Sequence, residues 1–192
     1  MWPGPVGGAE AGAWLRAAAR AEVAQGIDAV YQMVADQVEA RGPACWASGR
    51  CCDFGRSGHA LYVTGLEAAL AALRWVPGRG AGGVAGGSAA GPGPMVALGS
   101  AVELAAQRGR CAFQEGNLCG ARAVRPLGCR VYFCDRGAQG WQRDLSERAM
   151  AMIRGVHDRH GVAYRYGEWN ALLGAVVAQR GAELVIRRGA GG

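Results

Sequence analysis

Cys45-Trp46-Ala47-Ser48-Gly49-Arg50-Cys51-Cys52-Asp53-Phe54 interrupts a helical pattern and carries three of the chain's seven cysteines. Upstream, residues 14–41 read as helix. Val23, Ile27, Val30, Tyr31, Val34 and Val38 recur at steps of three and four and form one apolar stripe. Gly26 weakens that helix and marks the point where it would divide. Gly42-Pro43 ends it, because a proline disfavours helix at the residue before it. The ten residues are therefore an irregular loop that opens directly off a long helix.

Downstream, Leu61-Tyr62-Val63 reads as extended. Thr64-Gly65-Leu66-Glu67 has the form of a capping box and should start a helix carrying Leu66, Ala69, Leu70 and Leu73. Residues 77–100 are rich in glycine and proline, bury almost nothing, and read as a flexible insert. Cys111 and Cys119 flank Glu115-Gly116-Asn117, a hairpin turn. Arg125-Pro126-Leu127-Gly128-Cys129-Arg130 reads as a tight loop, and Val131-Tyr132-Phe133-Cys134 as a short strand or turn. Trp141, Leu145, Ala149, Met152, Ile153 and Val156 mark one amphipathic helix ending at Gly161. A second runs over residues 168–179, and Leu184-Val185-Ile186 reads as a terminal strand. The expected architecture is mainly α. It is a single small helical domain over residues 14–188, with irregular Cys-bearing loops and one or two short hairpins forming a metal site at one pole. Residues 1–13 and 189–192 are expected to be disordered tails.

The cysteines carry the chemistry: Cys45, Cys51, Cys52, Cys111, Cys119, Cys129 and Cys134. Their number is odd, so disulfides alone do not use them all, and adjacent cysteines pair with each other only through a strained ring. The first eight residues show no basic stretch followed by an apolar run, which argues for a cytoplasmic, reducing location and for metal ligation or redox chemistry. Convergent thiolates select zinc, copper(I) or iron–sulfur clusters. The net charge of +6 comes wholly from arginine, without a lysine, in a chain with 33 glycines. That bias is weak evidence for an acidic partner. Four thiolates around a divalent ion would also leave a site at about −2. No apolar run approaches the ~20 residues needed to span a bilayer.

These cysteines resemble the YkgJ-type cysteine-cluster family, a zinc- or iron-chelating domain. The family's first block is similar to C-x-x-C-x-x-C-C, and this chain has Cys45, Ser48, Cys51 and Cys52 at those positions. Its second block is similar to a C-x-F/L hairpin, a cysteine, and then R-P-x-x-C-R. Here those positions are Cys111-Ala112-Phe113, Cys119 and Arg125-Pro126-Leu127-Gly128-Cys129-Arg130. Two positions depart from the pattern. Ser48 puts a hydroxyl where the family often has a thiolate, and Arg122 stands where it commonly has a tyrosine. The resemblance implies a protein that binds iron, as an iron–sulfur cluster, or zinc through all seven cysteines. A family relative, the flagellin lysine methylase, implies the alternative of a metal-assisted group-transfer enzyme.

The residues by themselves point the same way. Zinc sites with four thiolates use C-x₂₋₄-C knuckles, and only Cys129 and Cys134 fall in that range apart from the adjacent pair. An iron–sulfur cluster accepts ligands from more scattered loops, so the spacing leans toward a cluster. Cys134 lies in an apolar run, where cysteine serves equally as a small buried hydrophobe. Arg50, Arg110 and Arg130 each adjoin a cysteine and could lower its pKa, and the amides of Gly49 and Gly128 could donate to sulfur. His59 is a candidate borderline ligand. His157 and His160 lie near a helix end, where positive charge suits the dipole. The chain lacks a Gly-rich strand–turn–helix for a nucleotide-like cofactor and a defensible Ser-His-Asp or Cys-His pair, so it does not declare itself an enzyme. The arginines are scattered, which ranks a nucleic-acid-binding zinc module last. No motif names a protein partner.

Overall fold

The computed structural model describes residues 4–45, 47–75 and 94–189. The chain is mainly helical. Its helices are α1 (Gly8–Ala18), α2 (Ala21–Arg41), α3 (Phe54–Ser57), α4 (Gly65–Arg74), α5 (Pro94–Gln107), α6 (Leu127–Val131), α7 (Gln139–Arg159) and α8 (Trp169–Gly189). Four short strands join them: β1 (Tyr62–Thr64), β2 (Gln114–Glu115), β3 (Leu118–Cys119) and β4 (Tyr166–Glu168). Helices α1, α4, α5 and α8 pack as one group, and α2, α6 and α7 as a second. Trp14, Ile27, Leu66, Leu98, Leu145, Ile153, Trp169, Leu172 and Leu173 are fully buried between them. The remaining strands form two antiparallel pairs. β1 meets β4 with Val63 opposite Gly167, and β2 meets β3 with Gln114 opposite Cys119.

The N-terminal segment differs from its expected disorder. Helix starts at Gly8, because alanine favours helix strongly and Ala11, Trp14, Leu15 and Ala18 make a buried stripe at three- and four-residue steps. Trp14 Nε1 donates to the Ala163 carbonyl at 3.1 Å, and Arg165 pairs with Glu10 at 2.9 Å. The stripe is hidden in sequence before Trp14, because its one earlier member, Ala11, is small. The expected division at Gly26 also falls elsewhere. The chain turns at Ala19-Arg20, where Arg20 is extended, and Gly26 lies inside α2. A Cβ on Gly26 would sit 3.1 Å from a Val156 methyl. The glycine lets α2 and α7 approach closely; it does not break the helix.

Three further expectations are corrected. Residues 94–100 belong to α5 rather than to a flexible insert, with Leu98 fully buried, while residues 76–93 lie outside the described residues. Residues 184–186 continue α8 rather than forming a strand, since nothing after Gln179 interrupts the backbone ladder. The tight loop at 125–130 is in fact a short helix from Leu127 onward. Of the tails, residues 1–3 and 190–192 are outside the described residues.

The capping box forms, and it does more than cap. Thr64 Oγ1 accepts from the Glu67 amide at 3.3 Å, and the Glu67 carboxylate accepts from the Thr64 amide at 3.0 Å. The same carboxylate, almost fully buried, also accepts from Tyr31 Oη at 3.0 Å and from the Leu127 amide at 2.7 Å. One side chain thus ties α4 and β1 to α2 and to the start of α6. Glu67→Ala should leave these donors buried without acceptors, at about 1–3 kcal/mol each. Tyr31→Phe removes a single hydroxyl and should cost about 1 kcal/mol. Urea unfolding measures both. A loss below about 1 kcal/mol for Glu67→Ala would show that the carboxylate is not the junction described.

Candidate functional site

Three stretches of chain carry the cysteines toward one place, and backbone bonds hold each stretch there. Gly49 turns the first loop with φ of +71°, a left-handed conformation that favours glycine. It is buried under Asn117, whose Cα would lie 3.0 Å from any Cβ at that position. Cys52 then donates back to the Gly49 carbonyl at 3.1 Å. Asp53 pairs with Arg110 as an antiparallel bridge, and the Cys111 amide donates to the Cys52 carbonyl at 2.8 Å. Cys52 and Cys111 therefore face each other across the two segments. The bridge is also tied to the helical core, since Asn170 Nδ2 donates to the Arg110 carbonyl at 2.8 Å.

The hairpin β2–β3 brings Cys119 alongside. Cys129 arrives on α6, whose first amide is held by Glu67. Gly128 lets α6 lie against β1, because a Cβ there would meet a Leu61 methyl at 2.7 Å. Arg130 locks the approach to this helix. Its guanidinium lies 4.0 Å over the Tyr31 ring and donates to the carbonyls of Arg125, at 2.7 Å, and Ala123, at 3.0 Å.

The result is a cavity of about 290 Å³ whose wall includes Cys45, Cys51, Cys52, Cys111, Cys119 and Cys129. Cys134 is not part of this wall; it is half-buried next to Phe133, which exchanges backbone bonds with the Gln142 side chain of α7. The wall holds six of the seven candidate ligands, with Cys45 and Cys51 exposed, Cys52 and Cys111 buried, and Cys119 and Cys129 half-buried. The Cys51 and Cys52 sulfurs are 3.8 Å apart. A tetrahedral ion with bonds of about 2.3 Å to sulfur sets neighbouring sulfurs roughly 3.8 Å apart, so this pair matches one edge of such a shell. Among the described residues, however, no three His, Cys, Asp or Glu side chains close on a point as the shell of a bound ion does. The donor set suits a soft metal; the sulfurs stand apart around an open space.

The thiols of Cys51, Cys52 and Cys129 are pushed up, not down. A hydrogen bond with Cys52, followed by burial, raises Cys51 well above the ordinary range. Cys52 is pushed up to about 12, first by its hydrogen bond with Cys111. Burial, then the neighbouring sulfurs, raises Cys129 strongly. At Cys51 and Cys129 the expectation that the adjoining Arg50 and Arg130 lower the value is overturned. Arg110 is paired with Asp53 at 3.3 Å, Arg50 is exposed, and Arg130 is engaged with Tyr31 and carbonyls. The cation that does oppose the rise at Cys51 and Cys129 is Arg125, which lines the cavity, and it is outweighed.

His59 also lines the cavity, stacked on Tyr132 with ring centroids 6.1 Å apart. His157 and His160 lie elsewhere. His157 is fully buried, with Nδ1 3.1 Å from the Val162 carbonyl, and His160 accepts from Arg20 through its own carbonyl at 3.2 Å. Ser48 does not line the cavity, although its hydroxyl accepts from the Arg50 amide at 3.4 Å. Sequence patterns did not mark Arg122, Arg125, Tyr132 and Trp169 as parts of one wall. Trp169 reads from helical spacing as core. It is also a wall residue because β4 delivers the first turn of α8 to the cavity, where the Trp169 amide donates to the Leu61 carbonyl at 2.8 Å.

No family model matches the chain, and no curated protein or solved structure matches it either. The likeness to the cysteine-cluster family rests on the two motif blocks alone.

The raised thiols set a direction for pH dependence in the reduced, metal-free protein. Between about 9, where a thiol in the unfolded chain ionises, and about 12 for Cys52, the folded state holds protons that the unfolded state has released. Stability should therefore be fully present below about pH 9 and fall as pH rises toward 12. Cys51 and Cys129 act in the same sense, as does Tyr31, which burial also raises. Urea midpoints under reductant at pH 8 and pH 10.5 measure the effect. Cys129→Ala should flatten the slope, and stability that is level or rising across this interval would contradict it.

Proposed function

We propose that this protein binds a metal through Cys51, Cys52, Cys111, Cys119 and Cys129, with Cys45 at the rim, and that the metal is an iron–sulfur cluster. The observation that carries this reading is that cysteines remote in sequence share one cavity wall. Hydrogen bonding between the sulfurs, burial and mutual proximity drive Cys51, Cys52 and Cys129 toward the protonated form. A bound metal reverses that penalty, because each thiolate it ligates releases a proton to solvent and gains a bond. Room for the cavity's 290 Å³ corresponds to about ten waters at roughly 30 Å³ each. Sulfurs spread around a space of that size suit a cluster better than a lone ion.

A zinc site is the second reading, favoured by the 3.8 Å separation of the Cys51 and Cys52 sulfurs. In either case Arg125 would offset part of the negative charge of the thiolates. The cluster or ion, when bound, would supply redox or Lewis-acid character; the chain's own contribution is the placement of sulfur.

Protein purified without oxygen should be brown, contain iron and acid-labile sulfide, and bleach on reduction. Colourless protein holding stoichiometric zinc after expression with added iron would replace the cluster by the zinc reading. Folded protein holding neither metal would sink both. In the same assay, Cys129→Ser should lose most of the bound metal, and Cys134→Ser should retain it. The reverse pattern would show that the cavity is not where metal is held.

A further inference from the structure

We propose that the cysteine cavity also binds a small organic oxyanion, a carboxylate or phosphate carried on an apolar or aromatic body, through Arg122 and Arg125. This inference rests on the cavity itself and not on a bound metal.

The wall of the cavity contains two arginines and no aspartate or glutamate. Neither Arg122 nor Arg125 has a carboxylate within ion-pairing distance among the described residues; the described pairs engage Arg20, Arg74, Arg110 and Arg165 instead. Arg125 is held in place through its Nε, which donates to the Arg122 carbonyl at 3.2 Å, while Arg130 donates to the Arg125 carbonyl. The loop that presents both guanidiniums is therefore braced by backbone acceptors. Planar guanidiniums of this kind match the paired oxygens of a carboxylate or phosphate.

The rest of the wall determines what carries the charge. Leu61, Phe113, Tyr132, Phe133 and Tyr166 line the space. Bare phosphate would meet the arginines and leave these rings in contact with water. A ring or short alkyl body fills them, and the volume of about 290 Å³ lies at the lower end of the roughly 300–1,000 Å³ of small-molecule sites.

Titration calorimetry with benzoate, phenyl phosphate, inorganic phosphate and the neutral isostere benzamide tests this, with protein as isolated and again after chelation under reductant. Iron, zinc and sulfide are assayed on each sample. Benzoate or phenyl phosphate should bind, and whichever is tighter identifies the anion as carboxylate or phosphate. Benzamide should bind at least tenfold more weakly, the equivalent of one lost charge-assisted hydrogen bond. Arg122 is exposed, so Arg122→Gln should fold normally and weaken the anion about tenfold or more, with Arg122→Lys recovering part of the loss. Benzamide binding as tightly as benzoate would overturn the anion, and inorganic phosphate binding as tightly as phenyl phosphate would overturn the organic body. No binding by metal-containing and stripped protein would end this proposal while leaving metal binding intact. Anion binding by protein that never holds metal would sustain it while the metal reading fails.

Discussion

The Glu67 carboxylate is the junction on which the arrangement depends. It is buried among the first turns of two helices and the edge of a third, and it accepts from Thr64, Tyr31 and Leu127. A carboxylate buried without such donors would be expelled or protonated; with them, it becomes a rigid fastening. The bond to Leu127 matters most for the site. It caps the helix that carries Cys129, and two residues of chain are all that separate the fastening from the sulfur. Arg130 completes the same assembly by lying over Tyr31, whose hydroxyl meets Glu67. Core and cysteine cavity are thus a single mechanical unit.

The cavity that results is electrostatically unfinished. Cys51, Cys52 and Cys129 hold their protons because sulfur–sulfur hydrogen bonds, burial and mutual proximity disfavour charge, and Arg122 and Arg125 have no carboxylate partner among the described residues. Either a metal that draws out thiolates or an anion that meets the guanidiniums would balance it. The two draw on the same space and on Arg125, so each would balance the cavity in the absence of the other. Cys134 stands apart because Phe133 is bonded to Gln142 of α7, which holds that stretch against the helix.

Much of the helical framework was legible in the chain. The stripes of α2, α7 and the first half of α8 were plain because large apolar residues recur at helical spacing, and the α4 start was marked by Thr64 and Glu67. The part of α1 before Trp14 was not legible, because its alanines and glycines resemble the composition of a disordered tail. Gly26 misled for a related reason. Its cost to a helix is local and visible, whereas its benefit, close contact with Val156, comes from a residue 130 positions away.

Periodicity, capping residues and thiol content are local properties, so the mainly helical fold and the loops that bear the cysteines could be read from the chain. Which cysteines share a wall, and which one does not, was set by the folded arrangement, through the Asp53–Arg110 bridge, the Glu67–Leu127 bond and the packing of Gly128 on Leu61. That arrangement also decided the sign of the thiol shifts. Adjacent arginines in sequence suggest lowered values, but side chains three residues or fewer apart need not meet, and Arg110 and Arg130 point their charge at Asp53 and Tyr31. Electrostatics acts through space, and the chain's order does not contain those distances.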